Sequence, residues 1–101
     1  MNNIQFAWDE AKNSLNRRKH KVSFEEAKTC FFDDSALLIY DPDHSEDEDK
    51  FILLGLSNQA KLLIVCHCYR EDKDGFEIIR IYSARKANRQ EAMQYKYRRE
   101  L

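Results

Sequence analysis

The sequence predicts an α+β fold: two N-terminal helices, a four-stranded antiparallel β-meander and a C-terminal helix. Three observations carry this. Helix-start signals stand at Asp9, Ser23 and Asn88, flanking the middle of the chain but not interrupting it. Between Ala36 and Ala84, apolar runs alternate with polar segments too short to hold a crossover helix, so consecutive strands pair antiparallel. The run Leu62-Leu63-Ile64-Val65-Cys66 is apolar on both faces, as expected of a central strand covered twice. The 101 residues suffice for one core, and one domain is read over 1–101.

Taken in order, Ile4-Gln5-Phe6-Ala7-Trp8 alternates as a short strand would. Asp9 offers a capping oxygen to a first helix over about 9–20, in which Ala11 and Leu15 continue the spacing from Trp8. Asp9 and Glu10 lie at its positive end and Arg17, Arg18 and Lys19 at its negative end, as the macrodipole prefers. Ser23-Phe24-Glu25-Glu26 reads as a capping box for a short second helix over about 24–31, with Phe24, Ala27 and Phe31 on one face. Strands follow at 36–40, 50–56, 61–70 and 76–84, separated by an acidic loop, a Ser57-Asn58-Gln59 turn and an Asp74-Gly75 hairpin signal. Asn88-Arg89-Gln90-Glu91 caps the last helix.

Composition narrows the function classes. The longest apolar run is far too short to span a bilayer, and Met1-Asn2-Asn3-Ile4-Gln5 has no signal-peptide pattern, so a cytoplasmic location with no membrane partner is expected. Three cysteines, an odd number, exclude a disulfide scaffold and fit reduced thiols. Net charge is −1, but its distribution is uneven. Asp41 to Asp49 holds six acids and no base; Arg80 to Leu101 holds seven bases against two acids; Lys12 to Lys28 holds six against two. Solvated helix faces and anion-binding ends both fit that pattern.

No motif points to a metal or a cofactor. In a strand, Cys66-His67-Cys68 sends its sulfurs to one face and its imidazole to the other. Paired-cysteine, HExxH and EF-hand spacings are missing, and two glycines cannot form a Walker or dinucleotide loop. His44 reads as a turn residue of the acidic loop, and His67 as a core or rim histidine. Arg80 stands mid-strand between isoleucines. It needs either a buried acid or an open anion site shared with Arg85 and Lys86. With period two, Ile79, Ile81 and Ser83 share one face and Ile78, Arg80 and Tyr82 the other. Lys19-His20 closes the first helix in a basic neighbourhood, which suits a neutral general base. Tyr95 and Tyr97 read as core on one side of the last helix, or as a surface on which a base stacks.

Several blocks together resemble the BrnT toxin family. They are Phe6-Ala7-Trp8-Asp9-Glu10-Ala11-Lys12, Asn16, Lys19-His20, Val22-Ser23-Phe24-Glu25-Glu26-Ala27, Asp41-Pro42-Asp43-His44-Ser45-Glu46, Gly55, and Ile79 to Ala87 with Glu91 and Tyr95 behind it. Lys21 stands where the pattern has glycine, and Lys50 where arginine is usual. The resemblance implies a RelE-like fold and a ribonuclease toxin of a type II toxin–antitoxin pair. It implies as partner a BrnA-like ribbon-helix-helix antitoxin, DNA being reached only through it. The chemistry implied is attack of a 2′-hydroxyl on its own neighbouring phosphate, with no metal or other cofactor. Arg80 and Arg85 are expected to clamp the phosphate, with Lys19 or His20 carrying a proton. Ser83, Lys86, Arg89 and Tyr95 are the expected RNA contacts, Ser83 having a structural alternative on the isoleucine side. The rival readings are a degenerate toxin that only binds its partner or nucleic acid, and a stand-alone binding protein.

Overall fold

The computed structural model describes residues 4–100. Its elements are β1 (Gln5–Ala7), α1 (Glu10–His20), α2 (Phe24–Thr29), a 3₁₀ turn (Cys30–Phe32), β2 (Leu37–Tyr40), a second 3₁₀ turn (Pro42–His44), β3 (Lys50–Leu56), β4 (Leu62–Glu71), β5 (Glu77–Lys86) and α3 (Arg89–Glu100). The strands form one five-stranded sheet in the order β1-β5-β4-β3-β2.

The sheet is therefore mixed, not a four-stranded antiparallel one. β2 to β5 pair antiparallel in chain order, but Gln5–Ala7 adds a fifth strand parallel to Ile78–Arg80. The connection from β1 to β5 runs through most of the chain, which is why a reading of neighbouring connections sees β1 but not its partner. β4 is the middle strand, its Leu63 and Val65 buried on one face and its Ile64 packed by Tyr95 on the other, where Cys66 stays half-buried.

One face of the sheet carries the main core. Val22, Phe24 and Ala27 pack there against Leu53, Leu63, Val65, Ile79 and Ile81. His67 is fully buried in the same layer, edge-on to Phe31 and Tyr69. Its Nδ1 bonds the Val65 carbonyl and its Nε2 the Tyr69 hydroxyl, and burial lowers its proton affinity. It is a core histidine. Gly55 lets the first 3₁₀ turn approach this layer, since a Cβ there would come within 3.1 Å of the Cys30 carbonyl.

Two local expectations change. α1 does not dock through an apolar stripe: Ala11 and Leu15 are exposed, and the buried residues of the helix are Asn13 and Asn16. Asn13 accepts from the Phe24 N–H, fastening α1 to the start of α2. The Asn16 amide bonds both the N–H and the C=O of Ala84, and also the Val22 carbonyl. β1 covers only the first part of β5's outer edge, so Asn16 supplies the missing partner where β1 has ended. The capping box at Ser23 forms only half. Ser23 Oγ accepts from the Glu26 N–H, but the Glu26 carboxylate turns inward to Ser57 and Lys61. At Asn88 the box is complete: the Asn88 side chain accepts from the Glu91 N–H, and Glu91 accepts from that of Asn88.

Candidate active site

The other face of the sheet is only partly covered. α3 packs Tyr95 onto Leu54 and Ile64, and beyond it the sheet floors a cleft of about 560 Å³. Lys50 and Ile52 of β3, Ile64 and Cys66 of β4, and Tyr82, Ser83 and Arg85 of β5 line that floor and its far end. Lys12, Lys19 and His20 of α1 close the β5 side, and Asp41 and His44 the side of β2 and β3.

A bulge aims the floor. Cys66 pairs with Ser83 while His67 pairs with Ile81, leaving Tyr82 as an extra residue on β5. Alternation shifts there, so Ala84 packs with Ile79 and Ile81, and Ser83 joins Tyr82 and Arg85 at the cleft. This corrects the period-two reading that set Ser83 beside the isoleucines. Ser83 pairs with Cys66 across the strands, and burial holds the Cys66 thiol above the usual thiol range, so that thiol stays protonated.

Tyr82 organises the cations. Its hydroxyl donates to Glu48 and meets Cys68 Sγ at 3.2 Å, while Arg70 bonds both Glu48 and the hydroxyl. Burial, then Cys68 and Glu48, raise its pKa, so it acts as a neutral donor. Lys50 lies 4.7 Å from its ring centroid, Lys12 5.4 Å and Arg80 5.9 Å.

The predicted site residues divide. Lys19, His20, Ser83 and Arg85 line one cleft. Arg80 does not line it; half-buried, it makes no ion pair among the described residues and rests near Tyr82 instead. Arg85 is gripped in parallel by both Glu91 oxygens at 2.8 Å, and Glu91 holds its pKa up. The α3 cap thus pins Arg85, leaving part of its donor fork for a ligand. Lys86 and Arg89 are exposed outside the cleft. Tyr95 is buried in the core beneath α3 and donates to Asp33, so no ring face is free for a base.

The cleft also holds residues that were read otherwise or passed over. In sequence Lys12 is one base of a run that fits a solvated face or an anion-binding end, and Lys50 stands out only where the family pattern has arginine. His44 sits in the expected turn of the acidic loop, and there its Nδ1 lies 2.8 Å from Asp41 Oδ2. The turn is bolted to β3: Ser45 Oγ donates to the Asp41 carbonyl and accepts from the Lys50 N–H, and the Asp41 N–H donates to the Lys50 carbonyl. The signal was present in Asp41-Pro42-Asp43-His44-Ser45, where an aspartate three residues before a histidine can close on it across a proline-started turn. Among the described residues no group of three or more histidine, cysteine or carboxylate side chains is placed to hold a metal ion, and no helix is long and apolar enough to cross a membrane.

A search of curated proteins finds no match to the sequence. Among solved structures, the chain is similar to the ribonuclease toxin BrnT of Brucella abortus, with a TM-score of 0.58 and 23% identity over 85% of this chain and 99% of that one. That likeness is one of fold. A family profile described as the ribonuclease toxin BrnT of type II toxin–antitoxin systems matches residues 8–91, spanning the first helix, the whole sheet from β2 onward and the start of α3. The chain belongs to the BrnT family of ribonuclease toxins.

Proposed function

We propose that the cleft takes one phosphodiester of an RNA strand and that the chain cleaves it through its own side chains, without a metal. The observation that carries this is the charge of the cleft. Lys12, Lys19, Lys50 and Arg85 converge from two strands and a helix, while Asp41, the one carboxylate lining the cleft among the described residues, is engaged by His44. Stabilisation of a phosphorane therefore falls to fixed cations rather than to carboxylate-held ions. His20 or Lys19 takes the 2′-hydroxyl proton, Lys12, Lys50 and Arg85 neutralise the phosphate oxygens, and Ser83 hydrogen-bonds beside them. Arg80 acts from behind Tyr82, and Lys86 and Arg89 extend the basic surface along the strand.

The family's toxin–antitoxin setting implies a neutralising partner. In this reading that partner is a BrnA-like ribbon-helix-helix antitoxin in the same cytosol, and an acidic or amphipathic segment of it covers the cleft. Association is then fast and salt-sensitive. An association rate unchanged between low and high salt would speak against cleft masking.

The test of activity is induction in bacteria of the wild type and of His20→Ala, following growth and bulk RNA. The wild type should halt growth and fragment RNA, and the variant should do neither while accumulating as folded protein. Growth arrest with intact RNA would instead support a module that acts by binding alone.

A further inference from the structure

We propose that His44, oriented by Asp41, is the general acid of this cleft and works across its floor from His20. The inference rests on the ribonuclease reading and adds its second proton carrier. Asp41 is 7% exposed, whereas the His44 side chain is 70% exposed. A buried carboxylate thus holds Nδ1, on a residue that lines the cleft, and Nε2 has no hydrogen-bond partner among the described residues. This division of labour, one ring nitrogen held and the other presented, fixes tautomer and orientation. The clasp of Ser45 onto Asp41 and Lys50 ties the turn to β3, so the imidazole is carried on the sheet rather than on a loose loop.

Position supports the pairing. His20 ends α1, which Asn16 tethers to β5, and His44 precedes β3. β5 and β3 flank β4, two strand spacings or about 10 Å apart. The two imidazoles therefore enter the cleft from opposite sides of a phosphate seated near Lys50 and Arg85. In-line displacement sets the entering and leaving oxygens on opposite sides of phosphorus, and so asks for a base and an acid on facing walls.

The step balances. A His20 ring nitrogen takes the 2′-hydroxyl proton, the 2′-oxygen forms its bond to phosphorus, and the bond from phosphorus to the 5′-oxygen breaks. His44 Nε2 gives its proton to that departing oxygen. The products are a 2′,3′-cyclic phosphate and a free 5′-hydroxyl. The acid role goes to His44 because the Asp41 carboxylate holds its Nδ1 and so fixes the ring for presentation of Nε2, while no carboxylate contacts His20 among the described residues.

The experiment compares an RNA oligonucleotide that the wild type cleaves with the same oligonucleotide carrying sulfur in place of the 5′-oxygen at the scissile bond. A thiolate leaves without a proton. His44→Ala should lose about 10²–10⁴-fold in cleavage of the oxygen substrate and little on the sulfur one. Asp41→Asn should lose kcat with KM kept, and should also be rescued by sulfur, which a merely structural role would not show. A His44→Ala protein that cleaves the oxygen substrate normally, or that is equally impaired on both, overturns the proposal. Failure of the wild type to cleave any RNA offered, so that no such oligonucleotide is found, brings down the ribonuclease reading itself. Cleavage of both by wild type and variant alike brings down only the role of His44.

Discussion

The two faces of the sheet are built from the same strands and do opposite things. Toward α1 and α2 the sheet buries Leu63, Val65, Ile79 and Ile81 in a closed aliphatic and aromatic layer, where even a histidine is kept neutral. On the other face α3 packs Tyr95 on Leu54 and Ile64, with Leu37, Leu62 and Ala87 beside them, and beyond that patch the sheet opens onto cations, two histidines and a buried aspartate. The difference begins at one residue. The Tyr82 bulge lets Ala84 stay in the closed layer while Ser83 and Arg85 turn to the open one. The closed face holds the fold, and the open face is free to spend its residues on charge.

The largest expected effect lies on the closed face. Phe24→Ala, at a position with no exposure, should cost about 3–5 kcal/mol, enough to leave much of the chain unfolded. Denaturant unfolding monitored by circular dichroism measures it, and a loss under 1 kcal/mol would mean the layer is not the core. On the open face Arg85→Ala should lower RNA cleavage by about 10²–10³-fold and leave the α3 cap in place, because Glu91 keeps the Asn88 N–H. Arg80→Ala, outside the cleft, should cost less than Arg85→Ala in the same cleavage assay. The reverse order would move the site along β5.

At the seam between the faces, Asn16→Ala strips partners from two backbone groups of Ala84 and from the Val22 carbonyl. It should cost about 2 kcal/mol in a denaturant titration. Smaller still is the effect of Glu48. Its hydrogen bonds from Arg70 and Tyr82 pull its pKa from 4.5 to about 2, so its contribution to stability is complete above pH 4.5 and lost as pH falls to about 2. The carboxylate faces solvent, which keeps that contribution small. Thermal unfolding of Glu48→Gln should therefore differ from wild type at neutral pH and converge with it near pH 2. Last, Lys21 ends α1 at φ 61°, a left-handed position that glycine fills without strain. Lys21→Gly should gain about 1 kcal/mol, raising the melting temperature by roughly 4–8 °C.

Much of the closed face was legible. Phe24 and Ala27 at helical spacing, the doubly apolar Leu62 to Cys66 and the short turns place most of it without any tertiary information. What escaped depends on contacts distant in sequence. β1 finds β5 some seventy residues later, and α1 docks by asparagine amides, which no hydrophobic period reveals. The cleft was half legible for the same reason. Lys19, His20 and Arg85 stand out in the local pattern and Ser83 only through the family resemblance, since the bulge that turns Ser83 over is a property of β4 and β5 together. For Tyr95 the sequence leaves a core role and a stacking surface both open, and the packing of α3 on Leu54 and Ile64 decides for the core. His44 does lie in the expected turn, but its pairing with a buried Asp41 at the cleft depends on burial that the local sequence does not show.

The division between the faces is tested most directly at Lys50, which stands in the cleft with its ammonium beside the Tyr82 ring. Thermal unfolding and RNA cleavage in EDTA are measured on the wild type and on Lys50→Met, which keeps an unbranched apolar stem and removes the charge. The account predicts that the wild type cleaves in EDTA, and that the variant melts within a few degrees of it while cleaving about 10²–10³-fold more slowly. A folded Lys50→Met protein that cleaves at the wild-type rate, or a wild type silenced by EDTA, would contradict it.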